Sequence, residues 1–197
     1  AALVACGTVS SIAIDVLRAS FDIPITGVVK AAADKACQVS KNKKIAILAT
    51  PATIKNASHE KYIKNNYRGF SVMGVGCPMF VPLVENGYIK DDCEITKIVC
   101  DEYISKLCEF SPDTIILGCT HYPIISSIIK DSAQRILQKD VELIDSGEEA
   151  AISLKEHFAS KGLLNTCGNG TIEYFVSDET HNFKEAASIF LGHSITN

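Results

Sequence analysis

One segment constrains the fold of this chain more than any other. It is the apolar run Asp113-Thr-Ile-Ile-Leu117, which ends abruptly on Gly118-Cys119-Thr120-His121-Tyr122-Pro123. An apolar run without polar alternation reads as a strand buried on both faces, the kind found in parallel sheets. Behind it, Ile124-Ile-Ser-Ser-Ile-Ile-Lys130 reads as the start of a helix. A cysteine placed where a parallel strand gives way to a loop lies at the carboxyl edge of the sheet, where open α/β folds hold their ligands. Its thiol there faces the positive end of the next helix, which favours the thiolate. A second copy of this corner opens the chain: Ala1-Ala-Leu-Val-Ala5 leads into Cys6-Gly7-Thr8, and a helical stretch runs from Val9 to Arg18. Two such corners point to two thiols facing one pocket.

Strand and helix signals alternate along the rest of the chain. Short strands are expected at Ile25–Val29, Lys44–Thr50, Phe70–Met73, Val141–Asp145 and Thr171–Val176. Helices are expected at about 31–40, 92–110, 124–139, 146–161 and 183–191, with a helical turn at Pro82–Asn86 stopped by Gly87. Thr50 before Pro51 has the form of an N-cap followed by proline at the first helical position. Strands separated by helices imply right-handed crossovers and a mostly parallel sheet. The chain opens directly on an apolar strand with no initiator Met, so the expectation is that something has been removed upstream and that sheet neighbours of this strand are missing.

Composition narrows the function classes. A net charge of -4 offers no basic patch for nucleic acid, and Lys41-Asn-Lys-Lys44 reads as a solvated loop without aromatic interleaving. No apolar stretch reaches the roughly 18 residues of a membrane span. Hydrophobic residues at 47% supply a real core. The eight cysteines are scattered through strands and helices, as suits a reducing cytosol rather than a disulfide framework. No pair shows zinc-ligand spacing, so no metal is expected. Cys37, Cys93, Cys100 and Cys108 read as small hydrophobes in helices, and Cys77 as packing. His59, His157, His181 and His193 read as surface residues.

The two cysteine corners, taken with Pro24–Val29, Ala49-Thr-Pro-Ala-Thr-Ile54, Cys77–Glu85, Leu143-Ile-Asp-Ser146 and the stretch around Ser177-Asp178, resemble the glutamate racemase family of the aspartate/glutamate racemase superfamily over essentially the whole chain. The resemblance implies an α/β fold of two doubly wound domains with mostly parallel sheets. The first domain would be incomplete, formed by residues 1–28 plus 142–197, and the second would span 29–141. It implies cofactor-independent interconversion of L- and D-glutamate, in the cytoplasm, supplying D-glutamate for peptidoglycan. Cys6 and Cys119 would be the acid/base pair, with His121 as their auxiliary histidine. Gly7, Thr8, Thr50, Thr53 and Thr120 would contact substrate, and Glu85 is a candidate auxiliary carboxylate. Because the family commonly dimerises, a homodimer is among the expectations.

The chemistry explains the pair of thiols. Racemisation removes a weakly acidic α-proton from one face and delivers one to the other, so two opposed groups within hydrogen-bond reach serve better than one mobile base. A thiol, with an ordinary pKa of about 8.5, can be tuned for either role. Two features depart from the family pattern: Gly7 stands where the family has Asn, and its upstream Asp-Ser glycine-rich segment is absent. Rival readings are a racemase for aspartate, hydantoin or a related substrate, and a catalytically silent relative acting as a binding module. A third is a Cys119–His121 hydrolase. It suffers because a histidine two residues after a cysteine has poor geometry to act as its base, and it gives Cys6 no task.

Overall fold

The structure is a computed structural model that describes residues 1–165, 167, 168, 170–177 and 183–193, with side-chain exposure left out for 183–186. The chain divides into two compact units, Ala1–Leu154 and Lys155–Asn197.

In the first unit, β1 (Ala2–Val4) pairs in parallel with β2 (Ile25–Gly27). The connection between them is helical, α1 (Gly7–Ile12) and α2 (Ile14–Ser20). The sequence reads there as one helix. In the structure Ala13 departs from helical dihedrals, at φ -114 and ψ -2. The α-type bonds Ala13 N–H to Val9 carbonyl and Leu17 N–H to Ala13 carbonyl still run through the bend. Ser10 stitches the layer together: its hydroxyl donates to the Val4 carbonyl at 2.7 Å and accepts from the Val28 N–H at 3.3 Å.

The larger sheet contains β3 (Lys44–Ala49), β4 (Ser71–Gly76), β5 (Thr114–Leu117) and β6 (Glu142–Asp145), all parallel, in the order β4-β3-β5-β6. The sheet therefore extends past residue 141. From β3 the chain steps one way to β4 and then returns past β3 to β5 and β6. Right-handed crossovers place α4 (Pro51–Asn56) and α5 (Ser58–Asn66) on one face. They place α6 (Phe80–Glu85), α7 (Glu94–Ser105) and α8 (Ser126–Leu137) on the other. The reversal falls between β3 and β5, and a crevice at their carboxyl ends is where such a sheet takes a ligand.

Packing follows the two-residue period of the strands. Ile45, Ile47 and Ala49 share a buried cluster with Ile116, Ile144, Ile63 of α5, and Ala32, Ala33, Ala36 and Cys37 of α3 (Val28–Val39). The alanines let α3 lie close to the sheet, and burial pushes the Cys37 thiol up to about 11. Among the α6–α8 residues, Phe80 packs edge-on to Tyr103 at 5.1 Å and to Tyr122 at 5.0 Å. Cys93 is the N-cap of α7, and Cys108 lies beyond its end, so neither is inside the helix expected to hold them.

Two expectations are corrected here. His59 is buried, 1% exposed, within α5. Thr171–Val176 is neither strand nor helix, and it is exposed along its length. Its apolar residues lack a ladder partner among the described residues, and a strand without a neighbour has nothing to pair with. α9 (Ser146–Ser160) begins in the first unit, and α10 (Phe183–Leu191) belongs to the second. Asp178 and His181, named in the sequence reading, lie outside the described residues. No described helix is long and apolar enough to cross a membrane.

Candidate active site

Two polar clusters stand at the carboxyl ends of β3 and β5, on either side of the reversal point. The first gathers at the end of β3. Thr50 is the N-cap of α4, and its hydroxyl accepts from the Thr53 N–H at 3.3 Å. Pro51 occupies the first turn, where its missing N–H costs nothing. Thr8, on the first turn of α1, brings its hydroxyl to 2.9 Å from that of Thr50 and 3.1 Å from that of Thr53. With 3.0 Å between Thr50 and Thr53, the three hydroxyls form a closed triangle. Such a set can turn its protons toward an oxyanion or retain them internally. Both readings of Thr50 and Thr53, cap and site residue, are thus geometrically compatible. Cys6 is the N-cap residue of α1, exposed, and makes no side-chain cap hydrogen bond.

The second cluster follows β5. Gly118 N–H donates to the Leu48 carbonyl at 2.8 Å, which extends the ladder to the corner itself. A 3₁₀ turn over Tyr122–Ile125 carries Pro123 in its first positions. Tyr122 is buried and donates from its hydroxyl to the Cys77 carbonyl at 2.9 Å, clamping the loop from below. Ser146 clamps the strand end by donating to the Leu117 carbonyl at 2.8 Å. In the sequence Tyr122 stands out only as part of the Cys119 motif. Its buried ring and single polar tip are a signal that an aromatic residue next to a loop proline could have given.

Cys119, Thr120, His121 and Glu85 then form a chain. His121 Nε2 lies 3.1 Å from Glu85 Oε1, while His121 Nδ1 lies 3.8 Å from Cys119 Sγ and 3.3 Å from Thr120 Oγ1. With the carboxylate accepting from Nε2–H, Nδ1 becomes an acceptor that can receive the thiol proton. This corrects the expectation that a histidine two residues after Cys119 is badly placed to act on it. A tight turn, closed by the Tyr122 N–H on the Cys119 carbonyl at 3.1 Å, folds His121 back.

Cys119 is half-buried, and burial is the largest influence on its thiol, raising its pKa above the ordinary value. The His121 N–H and the Thr120 hydroxyl pull it down, while Cys6 and Glu85 push it up electrostatically. The expected helix-end stabilisation of the thiolate is outweighed by desolvation. Cys77 is a packing residue: it is fully buried, burial drives its thiol far up, and its hydrogen goes to the Val75 carbonyl. Among the described residues, no three His, Cys, Asp or Glu side chains converge to hold a metal ion.

Gly7 joins the two clusters. A Cβ built on it would stand 2.1 Å from the Gly118 carbonyl oxygen, so the peptide after Cys6 rests directly on the peptide before Cys119. All nine residues singled out in the sequence lie in these two clusters or at this contact.

Comparison with known proteins identifies the family. Residues 1–154 match the Asp/Glu/Hydantoin racemase family. The chain is 38% identical over 195 residues to a glutamate racemase of Persephonella marina, covering 99% of this chain and 70% of that protein. Among solved structures it is similar to a glutamate racemase isoform from Bacillus anthracis, with a TM-score of 0.89 and 31% identity, covering 99% of this chain and 71% of the other. It is also similar to the Francisella tularensis glutamate racemase in complex with D-glutamate, with a TM-score of 0.85 and 30% identity over 98% of this chain and 70% of the other.

Proposed function

Because the chain belongs to the Asp/Glu/Hydantoin racemase family, we propose that it is a glutamate racemase in which Cys6 and Cys119 act as opposed acid and base. The observation that carries this reading is the Gly7–Gly118 contact, which holds the two thiol-bearing corners against each other. In one direction, one cysteine as thiolate takes the α-proton of glutamate, breaking the C–H bond and forming S–H. The other cysteine, as thiol, then delivers its proton to the opposite face of the carbanion. The reverse reaction exchanges the roles.

The remaining residues prepare and stabilise these steps. Glu85 holds His121 in the tautomer whose Nδ1 accepts the Cys119 proton, a path for the proton of a thiol that burial otherwise keeps protonated. The hydroxyls of Thr8, Thr50 and Thr53 stand ready to donate to the substrate carboxylate as it takes up charge from the carbanion. Thr120 works on the Cys119 side, tuning the thiol. Similarity to a glutamate racemase solved with D-glutamate supports glutamate as the substrate. The same reading extends to a cytoplasmic enzyme, acting as a homodimer, whose D-glutamate feeds peptidoglycan.

Optical rotation tests the assignment. Separate solutions of L- and D-glutamate incubated with the protein should both decay to zero rotation, since the enantiomers have equal free energy. Rotation that stays constant in both would remove glutamate as the substrate.

A further inference from the structure

Gly7 departs from the Asn that the family motif carries, and the family resemblance sets it among the residues that contact substrate. The structure gives it another role. Gly7 is buried at the start of α1. An added Cβ would come within 2.1 Å of the Gly118 oxygen, 3.2 Å of the Gly118 carbonyl carbon and 3.9 Å of the Cys119 nitrogen. The first of these falls far inside the 3.4 Å at which ordinary contact begins.

Neither side of the contact can retreat freely. Behind Gly118 stand the Ala49 methyl, the Leu48 carbonyl and Ile47, at 3.0, 3.2 and 3.6 Å from where its own Cβ would be. These belong to β3, whose residues Ala46–Ala49 are all buried. On the other side, Thr8 is held by its hydroxyl contacts to Thr50 and Thr53. The weaker partner is α1, since it carries the exposed Cys6 and lies outside the four-stranded sheet.

We propose that Gly7 is a positioning residue: its bare Cα against the Gly118 peptide sets the spacing between the Cys6 and Cys119 thiols, and a side chain at position 7, Asn included, drives Cys6 away from the reacting carbon. The proposal rests on the two-thiol reading above. It also makes the return to the family residue harmful to this chain.

The consequence is specific to a two-base reaction. Displacing Cys6 leaves Cys119 able to take the α-proton on its own face. The S–H so formed exchanges with solvent, and deuterium returns to the same face of the carbanion. Exchange without inversion therefore survives for the enantiomer that presents its α-hydrogen to Cys119, while inversion fails in both directions.

The test compares the wild-type chain with Gly7→Ala and Gly7→Asn in D2O. Proton NMR follows loss of the α-hydrogen from each enantiomer, chiral chromatography follows inversion, and thermal melting confirms the fold. The expected result is folded variants whose inversion rate falls by about 100-fold, the scale of a displacement near 1 Å at a reacting centre. For one enantiomer the ratio of exchange to inversion should rise by at least about 10-fold. Inversion in Gly7→Asn equal to or faster than wild type, or loss of exchange and inversion in equal proportion, would overturn the proposal. So would loss of the fold in Gly7→Ala, because the core rather than α1 would then carry the contact. A wild-type chain that neither exchanges nor inverts glutamate would instead remove the racemase reading on which the proposal stands.

Discussion

Cys119 has to be a proton donor and a proton acceptor in turn, and its surroundings serve both states. Burial favours the thiol, while the His121 N–H and the Thr120 hydroxyl favour the thiolate. Without substrate, the reactive thiolate fraction should rise with pH along a titration displaced above that of an ordinary thiol. The rate of Cys119 alkylation by iodoacetamide, read by peptide mass spectrometry, measures that titration, and Thr120→Ala should move it to still higher pH. A curve at or below the ordinary thiol value would contradict the burial argument. His121 acts on the thiol directly and Glu85 only through His121. His121→Gln is therefore expected to lower turnover by about 100-fold, within the range for general acid–base groups, and Glu85→Gln by a smaller factor. Equal losses in the two variants would place Glu85 on the substrate instead.

His59 makes a separate prediction. Burial lowers its pKa from 6.5 to about 4, and its Nε2 is buried without a hydrogen-bond partner among the described residues. The folded state therefore binds fewer protons than the unfolded state between those values, and stability falls as pH drops from 6.5 toward 4. The loss amounts to at most about 3 kcal/mol. His59→Leu should flatten that part of the stability–pH curve measured by urea unfolding. An unchanged slope would show that other groups carry the acid sensitivity.

At the scale of elements, one carboxylate ties the polar side of the join between α3 and α5, whose apolar side packs Ile63 with the α3 alanines. Asp34 accepts from Lys30 Nζ at 2.8 Å, from the Tyr62 hydroxyl at 2.9 Å and from the Tyr67 hydroxyl at 2.8 Å. Burial alone would raise its pKa, but these three donors outweigh it and lower it. Asp34→Ala leaves two tyrosine hydroxyls at a half-buried joint and should cost about 1–3 kcal/mol, read as a lower urea midpoint with unchanged slope. The parallel strands of the larger sheet were legible because runs such as Lys44–Ala49 and Thr114–Leu117 lack polar alternation and are followed by helical periodicity. Thr171–Val176 shows the limit of that signal: alternation records the wish for a partner, and pairing requires one. His59 shows another. In Ser58–Asn66 a histidine beside Glu60 and Lys61 looks solvated, but the helix turns that face onto the sheet.

For the molecule as a whole, topology concentrates the chemistry. The reversal between β3 and β5 puts Thr50 and Cys119 at neighbouring strand ends, and the start of α1 brings Cys6 and Thr8 to them. The residues of the site were readable from motifs because each sits next to an element boundary that the sequence marks with Gly, Pro or Thr. What no pattern marked was the distance between the corners, since the Gly7–Gly118 contact joins positions 111 residues apart. The central claim is that two thiols, and not one, turn glutamate over. Incubation of wild-type, Cys6→Ala and Cys119→Ala chains with each enantiomer in D2O, followed by α-hydrogen NMR and chiral separation, tests it most directly. Wild type should exchange and invert both enantiomers, and each variant should invert neither while exchanging at most one. Inversion by either single-thiol variant at the wild-type rate would contradict it.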